Sequence, residues 1–206
     1  MVGDPVRIPP PSNVSTYAPG HIPPRTNREN SHTPSSIQLV FINFYLGIAQ
    51  GALDFAKIYT VKNTRAWPFG GETKDASTDE FYILSTYGNF LAHLRAAETL
   101  VDRAGDEADK LYTKYGTERA GLTARERGEW AEWVASAKVV TTDTGLRVTA
   151  GVFEVTGSRA TASKVGLDRF WRDLRTHTLH DPVAYKNREL GRYLLLDEVP
   201  TPTWYT

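Results

Sequence analysis

Residues 37–56 read IQLVFINFYLGIAQGALDFA. So apolar a run in a chain of 206 residues has few places to go. At helical pitch Leu39, Ile42, Leu46, Ala49, Leu53 and Ala56 fall on one side, with Phe41, Tyr45 and Ile48 beside them. A helix apolar on every face is central in a large core, spans a bilayer, or is covered by a partner. The run is nearly long enough for a bilayer, but Gln38, Asn43, Gln50 and Asp54 interrupt it, each costly in lipid. A buried helix over about 37–61 fits better, and in so short a chain part of its cover would come from a partner.

The rest of the chain supplies further helices. Pro68, Gly70 and Gly71 break the pattern within 62–78. Thr78 is a fitting N-cap for a helix over 79–115, whose stripe is Phe81, Leu84, Gly88, Leu91, Leu100, Leu111 and Tyr115. Its charged last third is expected to project from the core. Thr123 and Glu126 make a capping box for a third helix over 124–155. The stripe there is Trp130, Val134, Ala137, Val140, Thr144, Val148, Val152 and Val155. Gly145 and Gly151 each cost that helix about 1 kcal/mol against alanine, which predicts close approach by neighbouring helices. Gly157 ends it. A fourth helix starts near 167 and is broken at Asp181-Pro182, because the residue before proline is pushed out of helical space. Asp181 is a natural N-cap, and Pro182 a natural first residue, for a fifth segment to about 195. The tail from 198 reads as extended. The fold class is therefore all-α, an up-down four-helix bundle over 37–206 with its last helix broken. The Pro-rich residues 1–36 lack apolar periodicity and are expected to be disordered.

Composition narrows the chemistry. A net charge of zero gives no global field to draw nucleic acid or an acidic membrane. The chain has no cysteine, so disulfides, thiolate nucleophiles and Cys-based zinc sites are ruled out, in keeping with a reducing compartment. The N-terminus lacks the apolar core of a signal peptide, and a cytoplasmic location is expected. No Walker loop, dinucleotide fingerprint or Ser-His-Asp arrangement is present.

What remains is a handful of polar residues at helix ends. His177, His180 and Asp181 sit close together, but three ligands from one helix end would not surround a metal, and no metal is expected. His180 is expected just before a helix N-terminus, where free N–H groups favour an anion and a histidine could act as acid or base. Local physics alone favours the other reading, a packing residue at a corner. Arg169, Arg172 and Arg175 make a solvated face, and His93 reads as a bundle residue. Arg159 in TGSRATAS and Arg65 in TRAWPFGG stand in loops of small or aromatic residues, where a guanidinium suits bidentate phosphate binding.

The stretches QLVFINFYLGIAQGALDFAKIYT, TRAWPFGG, VTGSRATA and DRFWRDLRTHTLHDPVAYK, followed by GRYLL, together resemble the C-terminal part of the dibenzothiophene monooxygenases and sulfur-acquisition oxidoreductases. These are flavin-dependent enzymes on the acyl-CoA dehydrogenase fold, and the resemblance covers about 37–206. It implies a bundle at the heart of a homotetramer, assembled through the first helix. It implies that Arg65 reaches the flavin phosphate of a neighbouring subunit, that Ser158 and Arg159 contact the flavin, and that His180 stands beside flavin and substrate as the catalytic histidine. Reduced FMN from a separate flavin reductase would react with oxygen to oxygenate a sulfur compound or similar small molecule. The alternatives are an FAD-dependent acyl-CoA dehydrogenase acting on CH–CH groups, and a non-catalytic bundle that only oligomerises. That family's dehydrogenases use a glutamate base, whereas TLHDP marks the oxygenases. The family also carries an N-terminal helical domain and a β-barrel ahead of this bundle, so a truncated gene product or a wrongly drawn gene boundary is expected.

Overall fold

A computed structural model describes residues 33–69 and 74–203. Five helices run in chain order: α1 Thr33–Asn63, α2 Phe81–Tyr115, α3 Ala124–Thr156, α4 Asp168–His180 and α5 Val183–Leu196. Short 3-10 turns at Ser77–Asp79 and Ser158–Thr161 lead into α2 and out of α3. Three long helices and one broken helix are the bundle expected. Of the segment expected to be disordered, 33–36 belong to α1, and 1–32 lie outside the described residues.

The central helix is α3, which packs against each of the other four. Its start is set by the Thr123–Glu126 capping box, with the Glu126 backbone N–H donating to Thr123 Oγ1 at 3.2 Å. The Glu126 carboxylate is also bonded by Lys114, Thr123 and Tyr115, which hold its pKa down at about 2. The expected stripe of α3 is buried from Trp130 to Val155, apart from the half-buried Val140. Both glycines are contact points. A Cβ on Gly145 would meet Leu174 of α4 at 2.7 Å, and one on Gly151 would meet Phe90 of α2 at 2.7 Å. A third contact was not foreseen: a Cβ on Gly128 would fall 2.4 Å from Val199, so the C-terminal segment lies directly on α3. Arg127 beside it is buried and donates to the Pro200 carbonyl.

Two expectations about α2 fail. Thr78 sits inside the 3-10 turn, and Glu80 occupies the cap position. The buried face is Ile83, Phe90, Leu94, Ala97, Val101 and Ala104; of the expected stripe Leu100 packs on the core, whereas Phe81 is 82% exposed and Leu84 and Leu91 are also exposed. Both stripes have helical spacing, so periodicity did not decide which one faces α3. Small residues did: Ala97 and Ala104 let α3 approach, and Trp130 Nε1 donates to the Ala104 carbonyl at 3.0 Å. Leu111 also packs on the core, so much of the charged last third stays on the bundle.

Helix α1 is long and apolar enough to cross a membrane by length and composition. Here Ile42, Tyr45, Leu46, Ala49, Ala52 and Ala56 are buried in the bundle. Two of its buried polar groups are answered inside, Gln38 by Lys138, and Thr60 by Tyr87 and the Val155 carbonyl, whereas the buried Ser35 hydroxyl has no hydrogen-bond partner among the described residues. The opposite face leaves Ile37, Val40, Phe44, Ile58 and Val61 exposed.

Candidate functional site

The polar residues singled out from the sequence gather at two places far apart on the bundle. The first is the junction of α1 and α3. Thr60 Oγ1 donates to the Val155 carbonyl at 3.1 Å, and Thr64 Oγ1 to the Thr156 carbonyl at 3.1 Å. Ser77 Oγ adds a bond to the Thr60 carbonyl at 3.0 Å. The end of α1 is thereby stapled to the end of α3, and the loop after α1 must run beside the turn after α3. Gly157 makes that turn with φ +80°, a conformation open to glycine at little cost, and its N–H donates to the Phe153 carbonyl. Ala160, fully buried, anchors the following 3-10 turn.

These connections place Arg65, Ser158 and Arg159 on one open cleft of about 360 Å³. All three residues are exposed. Trp67, Phe69 and Tyr82 supply aromatic surface to the same cleft, with the Trp67 and Phe69 rings 5.6 Å apart in edge contact. The Trp67 backbone N–H donates to the Glu80 carboxylate at 2.8 Å, which fixes the loop. Among the described residues no carboxylate pairs with Arg65 or Arg159. Gly70 and Gly71 lie outside the described residues.

The second place surrounds the break between α4 and α5. His180 is the last residue of α4 and is exposed. Asp181 is not the N-cap expected. Pro182 holds that position, while the Asp181 carboxylate turns inward to Lys138 Nζ at 2.5 Å. A buried cation is a stronger partner than the backbone N–H groups a cap would serve. Lys138 is fully buried and also donates to Gln38 Oε1 at 2.6 Å. Burial pushes its ammonium below the ordinary lysine value, and Asp181 opposes that shift.

His177, one turn before the break, is held from the other side. Its Nδ1 lies 2.7 Å from Tyr45 Oη, and its ring makes a tilted contact with Phe41 at 4.5 Å between centroids and lies 6.2 Å from that of His180. Burial, then the Lys138 and His180 charges, lower the His177 pKa, so the ring is neutral near pH 7. Burial, with Asp181 nearby, pushes the Tyr45 phenol up to about 12, so it keeps its proton. A phenol is the better donor of the two, which makes His177 Nδ1 the acceptor and leaves the proton on Nε2. The metal arrangement weighed for His177, His180 and Asp181 has no common centre, since Asp181 faces Lys138. Of the arginine face, Arg172 pairs with Asp168 at 3.1 Å.

Within one chain, Arg65 and Arg159 meet, but His180 does not join them. His177, the ring neighbour of His180, rests on Phe41, and Phe41 and the loop at 65 are separated by most of α1, roughly 35 Å at helical rise. Lys138 was missed from the sequence because it stands within an apolar stripe. The available signal was Gln38, a polar interruption with no other reason to be there.

The model of the acyl-CoA dehydrogenase C-terminal domain matches residues 39–184. The chain belongs to this family. Within the acyl-CoA dehydrogenase C-terminal domain family it is 43% identical over 166 residues to the dibenzothiophene monooxygenase of Mycolicibacterium goodii, which covers 81% of this chain and 39% of that one. It is likewise 43% identical over 173 residues to a protein of Pseudomonas putida named as a probable FMNH2-dependent monooxygenase, covering 84% of this chain and 42% of the relative. Among solved structures, TdsC of Paenibacillus sp. A11-2 in complex with FMN and indole superposes with a TM-score of 0.79 at 41% identity, over 86% of this chain and 44% of that one. The chain thus spans about two fifths of the length of the relatives it matches.

Proposed function

We propose that this chain is the helical-bundle part of a flavin-dependent monooxygenase that uses reduced FMN and oxygen to oxygenate a sulfur compound or similar small organic substrate. The observation that carries this reading is the cleft at the α1–α3 junction. Two exposed guanidiniums and the Ser158 hydroxyl share it with the Trp67 and Phe69 rings. Guanidinium forks and a hydroxyl match a phosphate, and flat aromatic surface matches a ring system. The donor set therefore fits FMN, the ligand in the Paenibacillus structure. Reduced FMN would supply the oxygen-activating chemistry. Arg65, Ser158 and Arg159 would hold the phosphate end, and His180 would hold or move a proton beside the substrate.

Because Arg65 and His180 lie at opposite reaches of one chain, each flavin site would draw them from different copies. We propose association through the exposed face of α1, with Ile37, Val40, Phe44, Ile58 and Val61. A tetramer is the expected assembly, a separate flavin reductase the expected supplier of reduced FMN, and the cytoplasm the expected location.

The test is oxygenation of dibenzothiophene by this chain co-expressed with the part of the Mycolicibacterium goodii enzyme that it does not match, supplied with reduced FMN. Turnover is expected. His180→Ala should lower kcat by about 100-fold or more with FMN affinity little changed, as for loss of an acid–base group. Arg65→Ala should instead weaken FMN binding by roughly tenfold or more, as for loss of a charge-assisted bond. A folded complex with no flavin-dependent turnover would sink the reading. Alone, the chain should bind FMN weakly; micromolar affinity would contradict a pocket that is completed by the part of the relatives this chain does not match.

A further inference from the structure

Asp181 follows the candidate catalytic histidine directly, and its carboxylate has left the surface. The residue is 6% exposed, and its partner Lys138 is 0% exposed. A buried ion pair is a poor way to stabilise a bundle, since an apolar pair of similar volume often does as well or better. What an apolar pair does not supply is direction. A 2.5 Å bond from α3 fixes the residue after His180, and Gln38 on α1 fixes the ammonium in turn at 2.6 Å. On the other side, the Tyr45 hydroxyl fixes His177 three residues before His180. The His180 backbone lies between two pins set in two different helices.

We propose that the buried Lys138–Asp181 pair is a positioning device for His180. Lys138 draws the carboxylate inward and ends α4 at residue 180. It thereby holds that imidazole in one place on the outer side of the bundle, with Tyr45 and His177 as the second pin. The functional half of this proposal rests on the reading of His180 as the catalytic group of a flavin site; the structural half stands without it.

The experiment uses the full chain with isotope-labelled histidine. Lys138→Met alone leaves a buried carboxylate unpaired and risks unfolding. The double variant Lys138→Met/Asp181→Asn removes both charges with little change of shape and avoids that risk. In the native chain the His180 ring signal should be single and show a through-space contact to the His177 ring. In the double variant that contact should vanish and the signal split or broaden, while amides of α2 and α3 keep their exchange protection. A folded double variant with the contact intact overturns the proposal. A purely structural role would lower the melting temperature and leave the contact in place.

In the oxygenation assay, the double variant should lose kcat by roughly 100-fold at unchanged FMN affinity, the size expected for a reactive group displaced by about 1 Å. Asp181→Asn alone keeps an acceptor for Lys138 and should lose less. Native-like kcat in the double variant also overturns the proposal. If the native chain shows no turnover, the functional reading fails by itself, and the ring contact still decides the positioning role.

Discussion

At the scale of single residues, the bundle keeps charge inside at a cost that can be measured. Glu132 on α3 is 5% exposed, and among the described residues neither of its carboxylate oxygens has a hydrogen-bond partner. Burial, then the Glu189 charge, raise its pKa to about 7, with Lys186 opposing. The folded state therefore binds a proton that an unfolded chain releases near the ordinary glutamate value. By linkage, stability falls as pH rises from about 4.5 to 7. Glu132→Gln should abolish this slope and stabilise the chain above pH 7 by up to about 3 kcal/mol, read from urea unfolding across that range. An unchanged slope would place the titration elsewhere. Glu126 works in the opposite sense. Its pKa is depressed to about 2, so its contribution is present above about pH 4.5 and lost as pH falls through 2.

At the scale of elements, most of the bundle was legible in the sequence, because its boundaries are written in local chemistry. Thr123 with Glu126, Gly157 and Asp181-Pro182 each mark an end found within a residue or two. Two glycines in α3 announced two helix contacts. What local chemistry does not encode is which of two apolar stripes on α2 meets its neighbour, or that Asp181 would prefer a lysine 43 residues away to its own backbone. Such choices are made by partners distant in sequence. The same limit held for the site: Arg65 and Arg159 were recognisable as phosphate-binding candidates, but their meeting depends on Thr60 and Thr64 bonding to the end of α3. For α1, the sequence pattern pointed to apolar character all round, and one apolar face is indeed left uncovered. Phe44→Glu, placed on that face, should leave helix content unchanged and shift the chain toward monomer in sedimentation. A native chain that stays monomeric at high concentration would remove the reason for the exposed face.

At the scale of the whole molecule, the separation of the two groups becomes a testable statement about assembly. If each site combines Arg65 of one copy with His180 of another, two impaired variants assayed at limiting FMN should complement each other. Arg65→Ala and His180→Ala, co-assembled in equal amounts, should regain roughly a quarter of native turnover through random pairing of intact halves. No recovery in demonstrably mixed oligomers would put both groups in one copy's site. The long reach of the bundle has another consequence, in time. Helix α1 is bonded to α3 through Gln38 and Lys138, 100 residues apart, and through Thr60 and Val155, 95 apart. At synthesis rates of about 5–20 residues per second, α1 is made some 5–20 s before the helix that buries it. The most apolar segment of the chain is the one that waits, and a newborn molecule spends that interval as a client for any chaperone that recognises exposed apolar helix.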